Sequence, residues 1–139
     1  VLQGSIFFVG KRNNAAANPP SLFRGQLAAN GTMAAVEELI EGVESMQIVY
    51  GVNLDQDVRS TADAFMPADQ VPDWQYVVSV RISLLMQSIA DGIVPFAQPY
   101  AFNGITYDGT AGNGALPEDN RLRRVFTTTV SLRNRVLGS

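Results

Sequence analysis

A chain of 139 residues, 46% hydrophobic and 17% charged, is long enough to bury a core and too apolar for wholesale disorder. It holds no histidine and no cysteine, which excludes a Ser-His-Asp triad, a cysteine nucleophile, disulfides and zinc bound by imidazole or thiolate. The net charge of −3 is segregated: residues 1–36 carry +3, 37–73 carry −8, 74–120 carry −3 and 121–139 carry +5, so opposite blocks are available to pair across a fold.

Residues 1–5, like 138–139, read as vector-derived ends. Ile6-Phe7-Phe8-Val9 is a short apolar run closed by Gly10, which predicts a buried strand. Residues 11–20 are polar and end in Pro19-Pro20, the pattern of a loop. Ser21-Leu22-Phe23-Arg24 predicts the returning strand of a hairpin, and Asn30-Gly31 a tight turn. Residues 33–44 are ambiguous. Val36, Leu39, Ile40 and Val43 have helical spacing, whereas Gly42 and the nearness of the next strand favour a bent extended segment. Met46, Ile48, Tyr50 and Val52 then alternate as in a half-buried strand.

Residues 53–73 are acidic, contain Pro67 and Pro72, and have no period, which predicts a surface loop with at most one helical turn. Trp74, Tyr76, Val78, Val80, Ile82, Leu84 and Met86 fall on one face of a long predicted strand. Residues 89–120 carry Gly92, Pro95, Pro99 and the turns Asn103-Gly104, Asp108-Gly109 and Asn113-Gly114, and read as a long irregular connection with part of it packed down. Residues 121–135 give a second long strand. Leu122, Phe126, Val130 and Leu132 share a face with Arg124, while Arg121, Arg123, Thr127, Thr129, Ser131, Arg133 and Arg135 take the other. Antiparallel pairing of 74–88 with 121–135 would join two apolar faces. No run reaches the length of a membrane span, and no basic-then-apolar leader opens the chain.

Little reactive chemistry is left. Glu37, Glu38, Glu41 and Glu44 are neighbours on one segment, which reads as a solvated or ion-paired surface rather than two carboxylates across a cleft. Asn53, Asp55 and Asp57 alternate like the start of a calcium loop, but the glycine and the twelfth-position glutamate are missing, so they are only a weak metal candidate. Residues 109–114 lack the lysine of a phosphate-binding loop and read as a flexible turn. Trp74 is in phase with its strand and predicts a core or edge role. The arginine-rich C-terminal stretch does not predict nucleic-acid binding in an acidic chain.

Four segments are more specific than their composition. They are Pro20-Ser21-Leu22-Phe23-Arg24, Glu38 to Val52 (ELIEGVESMQIVYGV), Val78 to Leu85 (VSVRISLL) and Arg121 to Arg135 (RLRRVFTTTVSLRNR). In this order they resemble the signature segments of the PilW family of type IV pilus minor pilins, and more distantly the type II secretion pseudopilin GspJ. The resemblance implies a pilin-like globular domain of α+β class, mainly antiparallel sheet, lacking an N-terminal helix. That helix would anchor a longer chain at the periplasmic face of the inner membrane of a Gram-negative bacterium. It implies a structural subunit and no enzyme, without cofactor, whose partners are other minor pilins and the major pilin at the pilus tip, in adhesion and twitching motility. A type II secretion pseudopilin and a tip adhesin are the alternatives. Interfaces favour aromatic and arginine anchors, which makes Phe96, Tyr100, Tyr107, Arg121 and Arg123 the partner-binding candidates.

Overall fold

The computed structural model describes residues 4–57 and 61–132. Among the described residues nine strands run β1 (Gly4–Lys11), β2 (Pro20–Leu27), β3 (Met33–Glu41), β4 (Val43–Val52), β5 (Ala64–Met66), β6 (Val77–Gln87), β7 (Tyr100–Phe102), β8 (Ile105–Tyr107) and β9 (Arg123–Ser131). They form a three-stranded sheet in the order β1-β2-β3, a four-stranded sheet in the order β5-β4-β6-β9, and the small hairpin β7-β8. The only helical turns among the described residues are three short 3-10 segments. The α+β expectation is therefore corrected to mainly antiparallel β for this part of the chain, because every long apolar pattern in it serves a strand. No helix of the described residues is long and apolar enough to cross a membrane.

The chain divides into two compact units, residues 4–46 with 84–125, and 47–57, 61–83 and 126–132. The first unit holds the β1-β2-β3 sheet. Its hairpin is antiparallel and unbroken from Gly4↔Leu27 to Lys11↔Pro20. Gly4 and Ser5 lie within the paired part of β1; residues 1–3 and 138–139 lie outside the described residues. Phe8 stacks on Phe23 with ring centroids 5.5 Å apart. β2 meets β3 through two register shifts, between Leu22 and Phe23 and between Arg24 and Gln26. Each shift inserts an extra residue into β3, one at Leu39 and one near Ala35, whose φ is +48°. Two bulges stretch a period of two toward the helical value, which is why 33–44 reads ambiguously. Gly42, at φ +86°, then turns the chain into β4, donating its N–H to Pro20 O and accepting from Gln87 N–H, each at 2.8 Å. Leu22, Phe23, Val43, Leu85 and Phe102 form the buried apolar set of this unit.

The second unit buries Val52, Val77 and Val78 with the polar Asn53 and Ser79. The acidic stretch contains a strand that the sequence hid: β5 pairs with β4 through Tyr50↔Met66 and Val52↔Ala64. Trp74 and Tyr76 correct a second expectation. They form a 3-10 turn capped by Asp73, whose side chain accepts from Gln75 N–H, and the strand begins at Val77. Trp74 is exposed in that turn rather than placed in a core or strand, and it meets the Tyr50 ring edge to face at 4.8 Å. The Arg81 guanidinium lies 3.6 Å from the centre of the Phe65 ring. The antiparallel pairing of β6 with β9 is present, since Leu132 donates to Val78 O at 2.8 Å and Ser88 to Leu122 O at 2.9 Å. The apolar face expected for β9 is not covered, because residues 124–132 are all exposed. Arg133 and Arg135 lie outside the described residues.

Candidate interaction surfaces

The segregated charge blocks meet in the first unit. Arg12 pairs with Glu38 at 2.7 Å and reaches Glu41 at 3.8 Å, and Arg24 pairs with Glu37. The buried Ser21 hydroxyl approaches Glu38 without completing a well-aligned bond. That contact first, and Arg12 second, hold the Glu38 carboxyl below the usual carboxylate range. The acidic cluster of the sequence is thus split among separate ion pairs: Glu37 and Glu38 point to opposite faces of β3, toward Arg24 and Arg12, and Glu44 lies on β4.

Arg123 is the best-held charge. Its side chain is only 5% exposed. It grips Asp119 in a two-pronged pair at 2.6 and 2.9 Å, donates through Nε to Glu44 at 2.7 Å, and reaches Gln87 Oε1 at 3.3 Å. Asp119 first and Glu44 second raise the Arg123 pKa further, while burial opposes them. In return Arg123 holds the Asp119 carboxyl below its usual range. Arg121 donates to Ser88 O at 2.9 Å and to Ile89 O, and lies 3.8 Å from Asp119. Both arginines line a cavity of about 460 Å³ with Lys11, Glu44, Gln87 and Asp119. Of the five predicted partner residues, Arg123 thus ties the 89–120 connection to β4 and β6, and Arg121 ties the two ends of that connection together. Glu44 and Asp119, their counter-ions, escaped sequence reading because no local pattern joins Glu44 to a residue so distant in the chain.

The three aromatic candidates divide. Tyr100 and Tyr107 pair across the β7-β8 hairpin and stack with centroids 4.7 Å apart. Burial, then the Glu44 charge, raises the Tyr100 pKa. Phe96, in contrast, is 66% exposed. The connecting loop is built rather than loose: Asn103 and Gly104 at φ +54° and +72° turn the hairpin. Asp108 accepts from Thr110 N–H and hydroxyl and from Asn113 Nδ2, and these bonds, the Thr110 N–H first, hold its pKa low.

In the second unit, the calcium-like alternation builds a turn. Asn53 is fully buried and donates Nδ2 to Asp57 O at 3.0 Å. Asp55 accepts from Asp57 N–H, and Asp63 accepts from Leu54 and Asp55 N–H at 2.7 and 3.3 Å. Among the described residues no three acidic side chains converge as a metal-binding group.

Exposed apolar side chains are the larger signal. Ile6, Phe7, Met33, Val36, Leu39 and Ile40 are open on the β1-β2-β3 sheet, and Val125, Phe126 and Val130 on β9. Residues 6–134 match the model of PilW, Type IV Pilus-assembly protein W. The chain belongs to the PilW family. The match spans β1 through β9, and membership ties the chain to type IV pilus assembly and to protein partners in that machinery. No curated protein and no solved structure matches the chain.

Proposed function

We propose that this PilW-family chain is the globular part of a minor pilin, a structural rather than enzymatic subunit that helps initiate the pilus at its tip by docking neighbouring pilins. A longer form of the chain would be anchored in the inner membrane by an N-terminal helix, with this part in the periplasm and later on the extracellular pilus. The observation that carries the reading is the set of large apolar side chains open on β1, β3 and β9 in a member of a pilus-assembly family. An ion-paired, well-turned scaffold that leaves Phe7, Val36 and Phe126 uncovered is suited to protein contact.

The test is genetic. Deleting the gene abolishes surface pili and twitching, and the full-length gene restores both. A full-length version with Phe7→Glu and Val36→Glu accumulates in the envelope but does not restore piliation. Normal piliation in the deletion strain overturns the proposal.

A further inference from the structure

The outer edge of β9 has a chemistry of its own. Four contacts set its pairing with β6: Leu132 N–H to Val78 O, Ser88 N–H to Leu122 O, Ser83 with Thr127 at 2.9 Å, and Arg81 with Thr129 at 3.4 Å. All four fit one antiparallel register without a bulge. Leu122 and Leu132 turn their main-chain groups toward β6, and so does every second residue between them. The N–H and C=O groups of Val125, Thr127, Thr129 and Ser131 therefore turn to the opposite side. β9 is the last strand in the sheet order, so no described strand takes them.

Residues 125–131, VFTTTVS, are rich in β-branched and aromatic side chains and contain no charge, proline or glycine. They lack the bulge, lysine or proline with which exposed edges are protected. Their flanks are charged with one sign: the chain from 121 to 139 carries five arginines and no acid. Arg123 is neutralised by Asp119 and Glu44, whereas Arg124 is exposed at the start of the open edge. A second copy fits this edge badly, because its 121–139 segment contains no acid and would offer Arg124 no carboxylate.

We propose that the outer edge of β9 receives, by strand addition, an extended segment of another pilus-assembly protein with a β-branched, uncharged centre and a carboxylate at the end that meets Arg124. That the partner belongs to the pilus machinery rests on the function proposed above; the edge chemistry does not. Main-chain bonds to Val125, Thr127, Thr129 and Ser131 give the affinity, and Arg124 selects the partner by charge.

The probes are labelled synthetic peptides titrated against the 139-residue chain by fluorescence anisotropy: Glu-Val-Thr-Val-Thr-Val-Glu, its counterpart with lysine at both ends, and an N-methylated acidic peptide that cannot complete the ladder. The acidic peptide binds, the lysine peptide binds about tenfold more weakly, and about 0.5 M salt removes the difference. The N-methylated peptide does not bind. Val125→Pro removes an outward N–H and weakens binding about tenfold, with far-UV circular dichroism retained. Arg124→Glu leaves the backbone alone and inverts the preference between the two charged peptides, which keeps the proposal testable if the proline variant does not fold. Equal binding of both charged peptides, binding of the N-methylated peptide, no binding at all, or a homodimer that Val125→Pro dissolves would each overturn it. Peptide binding alongside normal piliation in the deletion strain overturns the pilus role alone.

Discussion

Arg123 shows how one side chain organises its surroundings. A guanidinium presents a planar fork, and here the fork meets Asp119 with two nitrogens while Nε turns to Glu44. Lysine offers one point charge and cannot make both pairs. Arg123→Lys should therefore lower unfolding free energy by about 1–3 kcal/mol, the worth of charge-assisted bonds lost in a partly buried site. Urea denaturation followed by tyrosine near-UV circular dichroism checks it. Asp119 carries the matching pH dependence. Its folded pKa is lowered, so its contribution is complete above the unfolded aspartate value of about 3.9 and is lost as pH falls through the folded value. Thermal melts between neutral pH and pH about 3 should show this loss, and Asp119→Asn should flatten that part of the profile. The arginine was visible in the sequence as an interface anchor. Its structural engagement was not, because burial of a charge depends on partners supplied by other strands.

At the scale of elements, Gly42 is the hinge pin between β3 and β4. A Cβ at this position would lie 2.7 Å from Gln87 O, and the φ of +86° is itself unfavourable to other residues. Gly42→Ala should destabilise by more than about 1 kcal/mol, whereas Gly104→Ala, at a hairpin tip with open space around it, should lose only the cost of its positive φ. Comparing the two midpoints in urea separates steric clash from backbone strain. The same element explains what the sequence disclosed. β4 and the β6-β9 pair were legible because each keeps alternation over several residues, and β1 and β2 because short apolar runs end at turn residues, although β1 has no buried residue where the run predicted a buried strand. β3 was not, because bulges at Leu39 and near Ala35 broke its period, and β5 was not, because three residues give no period at all. Trp74 and Tyr76 kept the phase of β6 while belonging to the turn before it, so phase alone misplaced the strand start by three residues.

At the scale of the whole molecule, exposed apolar surface and a mainly antiparallel fold coexist. The folded chain should bind an apolar dye such as ANS at neutral pH while still unfolding cooperatively, a combination that separates open contact surface from a molten state. Phe7→Ser with Val36→Ser should lower the dye signal without broadening the urea transition; background fluorescence from the unaltered chain would contradict the reading of these sheets. The aromatic residues offer one more view. Trp74 is the sole tryptophan and touches Tyr50 in the second unit, whereas Tyr100 and Tyr107 stack in the first. The molecule therefore carries a separate optical signature for each unit: indole emission reports one, and the coupled absorption of two parallel phenols reports the other. If the two signals fade at a single urea concentration, three strands that pass through both units transmit unfolding as one event; if they part, each unit melts by itself, and light alone distinguishes them.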